Sequence, residues 1–555
     1  MSIASNFPAI SPSLSLNFAA VQTLDPRITF TRASTATYYG TQTAKAEENL
    51  LLQSQDYSAT WTVTSLTPVT SKTAPDGTST ATEFTATAAN AVLTQGYTAI
   101  AGSYTFSVFL RRVTGSGDIQ IAADNGTWTT KVITGTWARY DVTQTVAAGS
   151  KTAGVRVVTD TDAIEVWGAQ LEQRSEVTAY TVTTTQPITN YIPVLETAAS
   201  GVARFDHNPT TFESLGLLIE ESRTNLVTYS EQFDNAAWTK TRSSITANTV
   251  VAPSGALTGE KLVEDATASS THLVAQTFSA TSGTTYNATI YVKAGERTEF
   301  TFQLATAFPA TSVRVNLLTG LITSTSGSPI GSAVTSVGNG WYRVSFSQTA
   351  TSTTTASLNA FISVGGTTVY TGDGYSGIYI WGAQLEAGAF ATSYIPTVAS
   401  QVTRAADAAS MTGTNFSSWY SQGQGTLYTE FNPMALAASS GVVINDNTTS
   451  NRIRLATTSV SDQGTVTTSG TAQAVLDGGT PAANTSMKLA MTYQVNNFAL
   501  SLNGATATTD TSGTVPVVSQ LQIGAETTTV GNLRIKKFAY YPLVSTATQL
   551  QALTS

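Results

Sequence analysis

The sequence predicts an all-β protein built from tandem antiparallel β-sandwiches, and three observations predict it. Thr, Ser, Gly, Val and Ala dominate the 555 residues, whereas charged residues make up only 11%. β-Branched residues beside short polar ones suit pleated, half-buried strands better than helices. Apolar and polar residues alternate in "SYTFSVFLRR", "TTYNATIYVKA", "GWYRVSFSQT" and "FALSLNG", with Gly, Asn, Asp and Ser clusters between such stretches. Many short strands so punctuated indicate sandwiches or barrels. The third observation is a duplication. "WGAQLE" occurs at Trp167 to Glu172 and again at Trp381 to Glu386, an interval too long for a solenoid or propeller repeat.

The match extends outward in the same order. Asn49-Leu50, Ser54, Tyr57, Trp61 and Thr62 answer Asn225-Leu226, Ser230, Phe233, Trp238 and Thr239. "YTFSVFLRR" from Tyr104 answers "YNATIYVKAG" from Tyr286, and "WARYDVTQT" from Trp137 answers "WYRVSFSQT" from Trp341. Tyr180 and Tyr394 follow their tryptophans at equal distance. The chain therefore divides into an N-terminal segment (1–44), a first sandwich (45–195), a hairpin connector (196–224), a second sandwich (225–400) and a last domain (401–555).

Each element has a local reason. The N-terminal segment holds a strand at "RITFTRAST". The connector reads as two strands around a turn at Asp206-His207-Asn208-Pro209, since Asn and Asp tolerate left-handed φ and Pro presets φ. In the last domain "GTLYTEFNP", "NRIRLATT", "MKLAMTYQVNNFALSLNG", "QLQIGAE" and "LRIKKFAYYP" read as strands, and Asn503-Gly504 marks a tight turn. "TATQLQAL" near the end is the one expected helix.

In the hexamer, strict alternation places Trp167, Ala169 and Leu171 on one side, taken as core, and Gly168, Gln170 and Glu172 on the other. Ile164 and Val166 make that second side apolar too. Such a strand is constrained on both faces, so the hexamer is expected to be the closing strand of a duplicated sandwich rather than a repeated active site.

Several function classes drop out. A net charge of −8 with scattered basic residues makes a poor nucleic-acid binder. With no cysteine, disulfides, thiolate nucleophiles and Cys-ligated zinc are excluded. The first residues show no basic region followed by an apolar one, so no secretory signal is expected. No run approaches ~18 apolar residues, so no membrane insertion is expected. His207, expected at the surface, and His272 lie in separate segments and form no metal-ligand pair. No Gly-x-Ser-x-Gly elbow or phosphate loop is present. Two carboxylates could still meet in space as in glycosidases, but the ladder of short repeats expected of a β-helical depolymerase is missing. The expectation is a chain that is not an enzyme, with a polysaccharide depolymerase as the alternative.

Three stretches carry a resemblance: "LDPRITFTRASTATYY", "ARFDHNPTTFESLGLLIEESRTNL" and the last domain with its closing "FAYYPLVSTATQLQAL". Together they resemble a family of tailed-bacteriophage virion proteins of tail-fibre or head-spike type. In that family "GLLIEE-x-RTNL" directly precedes a jelly-roll module, as Gly216 to Leu226 does here. The two repeats resemble carbohydrate-binding jelly rolls, and the last domain resembles a laminin-G or concanavalin-like lectin sandwich. Two departures stand out. Phe212 occupies the glycine of the family's Pro-x-Thr-Gly turn. The first sandwich also interrupts the path from "TFTRAST" to "RFDH", so Arg27 to Arg32 is expected beside Val202 to Phe205 in one discontinuous unit.

The resemblance implies a surface-exposed virion protein, a fibre or spike that attaches to host surface glycans, with 1–44 as its anchor to the particle. Other virion proteins are its implied partners, and a homotrimer follows from fibre analogy. A decoration protein without ligand is the further alternative. Sugar rings stack on flat exposed aromatics, so Trp61, Trp128 (in "NGTWTT"), Trp238, Tyr97, Trp419 and Tyr420 are the candidate carbohydrate contacts, each weighed against ordinary packing. No cofactor is required. Jelly rolls of this kind often hold a structural calcium, for which Asp162 in "DTDAIE" and Asp373 in "TGDGYSG" are the candidates.

Overall fold

The computed structural model describes residues 11–436 and 439–555. Three two-sheet antiparallel sandwiches hold most of these residues. In the first module one sheet runs Thr129–Lys131, Ile119–Ala122, Gly149–Val157, Ala91–Ala99, Thr62–Thr64. Its partner sheet runs Ala138–Val146, Gly102–Thr114, Ala163–Glu172, Ala81–Ala86, Leu66–Lys72. The second module repeats both orders strand for strand. One sheet runs Thr311–Asn316, Glu299–Ala305, Thr354–Ser363, Leu273–Ala280, Thr239–Thr241, and the other Trp341–Thr349, Thr285–Ala294, Gly377–Ala387, Gly259–Glu264, Ser243–Val250. The second module adds the strands Leu321–Ser326 and Ile330–Ser336, one to the edge of each sheet.

The third sandwich is assembled from distant pieces of chain, and we call it the hub. One hub sheet joins Leu14–Asn17, Arg204–His207 and Ser214–Ile219 to Leu533–Tyr541, Gln424–Pro433, Met487–Gln494, Asn497–Leu502 and Thr508–Asp510. The other runs Thr29–Thr31, Ala408–Thr412, Gln520–Ile523, Ser439–Asn445, Arg452–Thr457, Asp462–Thr468, Thr471–Gly479. Leu14, Leu16, Phe18 and Ile28 share its core with Leu217, Ile219, Leu427 and Ile535. Residues 14–17 and 29–31 are therefore hub strands, so this part of the chain does not lack a domain, and the hairpin is a pair of hub strands rather than a connector. Arg27 to Arg32 and Val202 to Phe205 do belong to one discontinuous unit, but their strands lie in opposite sheets. The Gly201 N–H donates to the Arg32 carbonyl at 2.9 Å where the two segments meet.

Both modules are insertions into the hub, each entering and leaving through a two-stranded ribbon. Ala36–Asn49 pairs with Ile188–Ala198 around the first module, and Arg223–Asn225 pairs with Val402–Arg404 around the second. The first ribbon also lies on the second module, where Ala46, Ile192 and Leu195 pack with Val250, Trp341, Trp381 and Tyr394. Lys293 pairs there with Glu47.

Where these segments converge, five ionised side chains are buried together. Asp407 accepts from Arg32 at 3.1 Å, from Arg204 at 2.6 Å and from the Glu220 N–H at 2.9 Å. Glu220 accepts from Arg204 at 2.7 Å and from both the N–H and hydroxyl of Ser393 in the second module at 2.7 Å. Arg404 lies 3.7 Å from Glu220 and donates to the Glu221 carbonyl at 2.6 Å. Burial works to raise the Glu220 carboxyl, but Arg404 and Arg204 outweigh it and hold the group well below the usual carboxylate range.

The hexamer departs from strict alternation for a local reason. Gly168 has φ +65° and Gly382 φ +62°, and each sits at a bulge where pairing to the neighbouring strand slips. Ile164, Val166, Ala169 and Leu171 consequently face the inter-sheet core. Trp167 faces the other way, with Phe109, Trp137 and Tyr180. The expected placement of Trp167 beside Ala169 and Leu171 is corrected accordingly. Only glycine serves at the bulge, because a Cβ on Gly382 would meet the Tyr291 ring at 2.9 Å.

The expected helix forms at Ala547–Thr554, with Thr546 and Gln549 closing a capping box. The hairpin turn keeps a glycine-type backbone despite its side chain, since Phe212 has φ +57°. Among the described residues no helix is long and apolar enough to cross a membrane.

Two outcomes follow from this architecture. Residues 401–555 alone lack four hub strands and are expected to show no cooperative unfolding by calorimetry. Replacing 50–187 by Asn-Gly closes the first ribbon into a hairpin and is expected to leave the hub and second module folded. Separately, Phe212→Gly removes left-handed strain of about 1–2 kcal/mol, partly offset by about 0.4–1 kcal/mol of unfolded-chain entropy. Phe212 is 41% exposed, so the burial lost with its covered half offsets the remaining gain, and the thermal midpoint is expected to stay within about 2 °C by calorimetry.

Candidate functional site

The structure separates the expected aromatic contacts into two groups. Trp61 and Trp238 lie in the module cores, where their indole N–H groups donate to the carbonyls of Leu52 and Gln53, and of Tyr229. Trp419 is buried in the hub against Tyr540, and its N–H donates to the Asn415 carbonyl. Tyr420 stacks on Phe416 and Tyr493 at the same core. Trp61, Trp238 and Trp419 are packing residues, because a buried ring offers no face to a sugar, and the half-buried Tyr420 ring is engaged by Phe416 and Tyr493.

Trp128 and Tyr97 remain half-buried, Tyr97 on a strand of one sheet of the first module and Trp128 in the loop that leads into that sheet's edge strand. The loop between Ile119–Ala122 and Thr129–Lys131 carries Trp128 back over the neighbouring strand, held by the Asn125 N–H donating to the Thr152 carbonyl at 3.0 Å. The Arg156 guanidinium lies 4.8 Å from the Trp128 ring centroid. Arg156 in turn donates to Gln120 at 2.7 Å, and Gln120 donates to Thr130 at 3.1 Å. Alternation puts these polar groups on the solvent side, because Ile119, Ile121, Val155 and Val157 point into the core. Beside them a groove of about 490 Å³ is lined by Gly96, Tyr97, Thr98, Asn125, Ser150, Lys151 and Thr152. Tyr97 is fixed at its rim by a 2.8 Å hydrogen bond to the Ala123 carbonyl. The result is an aromatic ring beside a row of amide, guanidinium and hydroxyl groups. Sequence reading found the two rings. It missed Arg156, Gln120 and Thr130, whose only signal was their outward register.

The calcium candidates are committed elsewhere. Asp162 accepts from Arg112 at 3.1 Å and from the Gly117 N–H at 2.8 Å. Asp373 accepts from the N–H groups of Tyr375 and Ser376, from the Ser376 hydroxyl, and from Arg297 at 3.1 Å. Burial acts to raise the Asp373 carboxyl, but these partners bring it down to about 2. A calcium cage needs converging oxygen ligands, whereas both carboxylates face donors and cations. The residues present do not fit the ion. Among the described residues no group of three or more His, Cys, Asp or Glu side chains could hold a metal.

Both histidines are buried, which corrects the surface expectation for His207. Its ring bridges the Tyr39 carbonyl and the Gln22 amide at 3.3 and 2.8 Å. His272 contacts the Arg242 carbonyl at 2.6 Å.

Glu260 is the carboxylate whose proton affinity changes most usefully. Burial and the neighbouring Asp234 charge push it up to about 7, against N–H bonds from Phe233 and Asp234 that favour the charged form. A raised folded pKa means that the fold binds this proton more tightly than the unfolded chain does. The protonated group therefore favours folding, and this advantage is lost as pH rises from about 4.5 through 7. Glu260→Gln, uncharged throughout, is expected to raise the melting temperature at pH 8 and leave it nearly unchanged at pH 4.

No family model matches the chain, and neither does any curated protein. Solved structures do align with it. One is the Ruminococcus gnavus IT-sialidase CBM40 bound to α2,3-sialyllactose, at 16% identity over 25% of this chain and 88% of that one, with a TM-score of 0.23. A second is the CBM22-1–CBM22-2 tandem of Paenibacillus barcinonensis Xyn10C, at 12% identity over 62% and 99%, with a TM-score of 0.21. A third is Trypanosoma rangeli sialidase with 2,3-difluorosialic acid, at 7% identity over 90% and 84%, with a TM-score of 0.20. None of the three is a virion protein. At these TM-scores the alignments assign neither substrate nor activity. The expectation that the chain is not an enzyme is corrected all the same: it rested on missing motifs, which exclude no activity, and sialidases stand among the aligned structures.

Proposed function

We propose that this chain is a glycan-binding display protein, of the fibre or spike type that its "GLLIEESRTNL" stretch resembles, exposed on a virion and attached there to other virion proteins. The observation that carries this reading is the Trp128 surface. A half-exposed indole stands beside Arg156, Gln120 and Thr130 on the solvent side of a rigid sheet. Such a ring can stack on the C–H face of a pyranose while the amide, guanidinium and hydroxyl groups take its hydroxyls. The architecture supports display, because each module is a separate sandwich that enters and leaves the hub through a pair of antiparallel strands. Several copies on one particle would multiply a weak single-site affinity.

The test is binding of the full chain to host cells and to their isolated surface polysaccharide, by calorimetry and pull-down. Saturable binding is expected, with Trp128→Ala weakening it about tenfold, the scale of a lost stacking contact of about 1–1.5 kcal/mol. Unchanged circular dichroism would exclude misfolding. Full-strength binding by Trp128→Ala would remove the site. Absence of saturable binding would favour the decoration-protein reading. Release of new reducing ends in the same mixture would establish a depolymerase.

A further inference from the structure

A second cleft among the described residues contains none of the aromatic sugar contacts expected from sequence. It encloses about 940 Å³ between the hub, the first ribbon and the second module, within the roughly 300–1,000 Å³ usual for ligand sites. Tyr38 of the ribbon and Phe390 of the second module line it, both half-buried. Ile330, 45% exposed, contributes from the added edge strand Ile330–Ser336. Asn432, Asn484 and Arg534 contribute from the hub.

Acidic and basic side chains balance in this cleft, Asp206 and Glu220 against Arg343 and Arg534. Arg534 donates to Asp206 at 2.6 Å. Glu220 belongs to the buried cluster at the hub. Arg343 donates to the Thr392 carbonyl at 2.6 Å and lies over the Tyr291 ring. The Asn432 side-chain oxygen and the Arg343 Nε are both buried without a hydrogen-bond partner, a costly state unless something supplies one. Rings, an aliphatic wall and unspent amide capacity with no net charge suit a neutral ligand rich in hydroxyls.

We infer that this cleft is a second ligand site, for a neutral oligosaccharide, and that it exists only when the second module is docked on the hub. The inference rests on the glycan-binding reading for its ligand class but uses none of the Trp128 residues. Its two walls come from different segments, so ligand should also clamp the second module to the hub.

The experiment uses the full chain carrying Trp128→Ala, which removes the first surface. Cellohexaose, xylohexaose and maltohexaose are titrated calorimetrically at 50 and 500 mM salt. At least one is expected to bind with a dissociation constant below about 1 mM, insensitive to salt because no ion pair forms. Adding Phe390→Ala, and independently Tyr38→Ala, should each weaken it about tenfold while the unliganded melting temperature stays within a few degrees. Two variants on opposite walls guard against one of them failing to fold. No binding of any hexasaccharide, binding unaffected by both variants, or binding that collapses at high salt would each overturn the site. Failure here with intact wild-type polysaccharide binding leaves the Trp128 reading standing, and the reverse result removes only that one.

Discussion

Everything in this molecule depends on the buried cluster of Arg32, Arg204, Arg404, Glu220 and Asp407. Isolated charges cannot be left in a protein interior, and a buried pair survives only with good geometry and satisfied hydrogen bonds. Here each carboxylate collects donors from at least two segments that are distant in sequence. Arg32 precedes the first insertion, Arg204 and Glu220 lie between the insertions, and Asp407 follows the second. Ser393 ties in the second module itself. Removing one partner of such a cluster typically costs about 3–5 kcal/mol. The cluster therefore dictates that four chain segments return to one point. It also explains the "LLIEESRTNL" stretch. Glu220 enters the cluster, Gly216 allows the Ile535 carbonyl within 2.2 Å of its missing Cβ, and Asn225 starts the second module's clamp.

That clamp is what the repeated residues encode. Asn49 donates to the carbonyls of Ala169 and Thr181, and Asn225 to those of Ala383 and Ile395. Gln170 and Gln384 accept from the N–H groups of Thr181 and Ile395, each at 2.6 Å. Ser54 and Ser230 bond the hydroxyls of Tyr180 and Tyr394. Each module thus pins the chain leaving it to the chain entering it. This brings the two ends together, as an insertion on a two-stranded ribbon requires. The hexamer recurs because both modules meet the same geometric demand.

The division of labour follows. The hub gives a rigid base, the ribbons set where the modules stand, and the modules supply outward faces. Surfaces carrying aromatic and amide groups occur where this plan leaves them uncovered, at Trp128 on the first module and in the cleft where the second module meets the hub. Buried tryptophans such as Trp61 and Trp238 look similar in sequence but serve the clamp, donating to carbonyls of the first loop.

The all-β class, the antiparallel pairing and the module duplication were determined by the sequence alone, because alternation with period two and repeated residue order are local properties of the chain. The helix at Ala547–Thr554 was legible for the same reason, from its cap. Tertiary structure alone decided which tryptophans are buried, why Trp167 turns away from the core, and that residues 14–31 and 204–219 belong to the last sandwich. Those outcomes depend on contacts between residues hundreds of positions apart. They depend also on one left-handed glycine that reverses a strand's faces, and neither leaves a mark on the neighbouring residues.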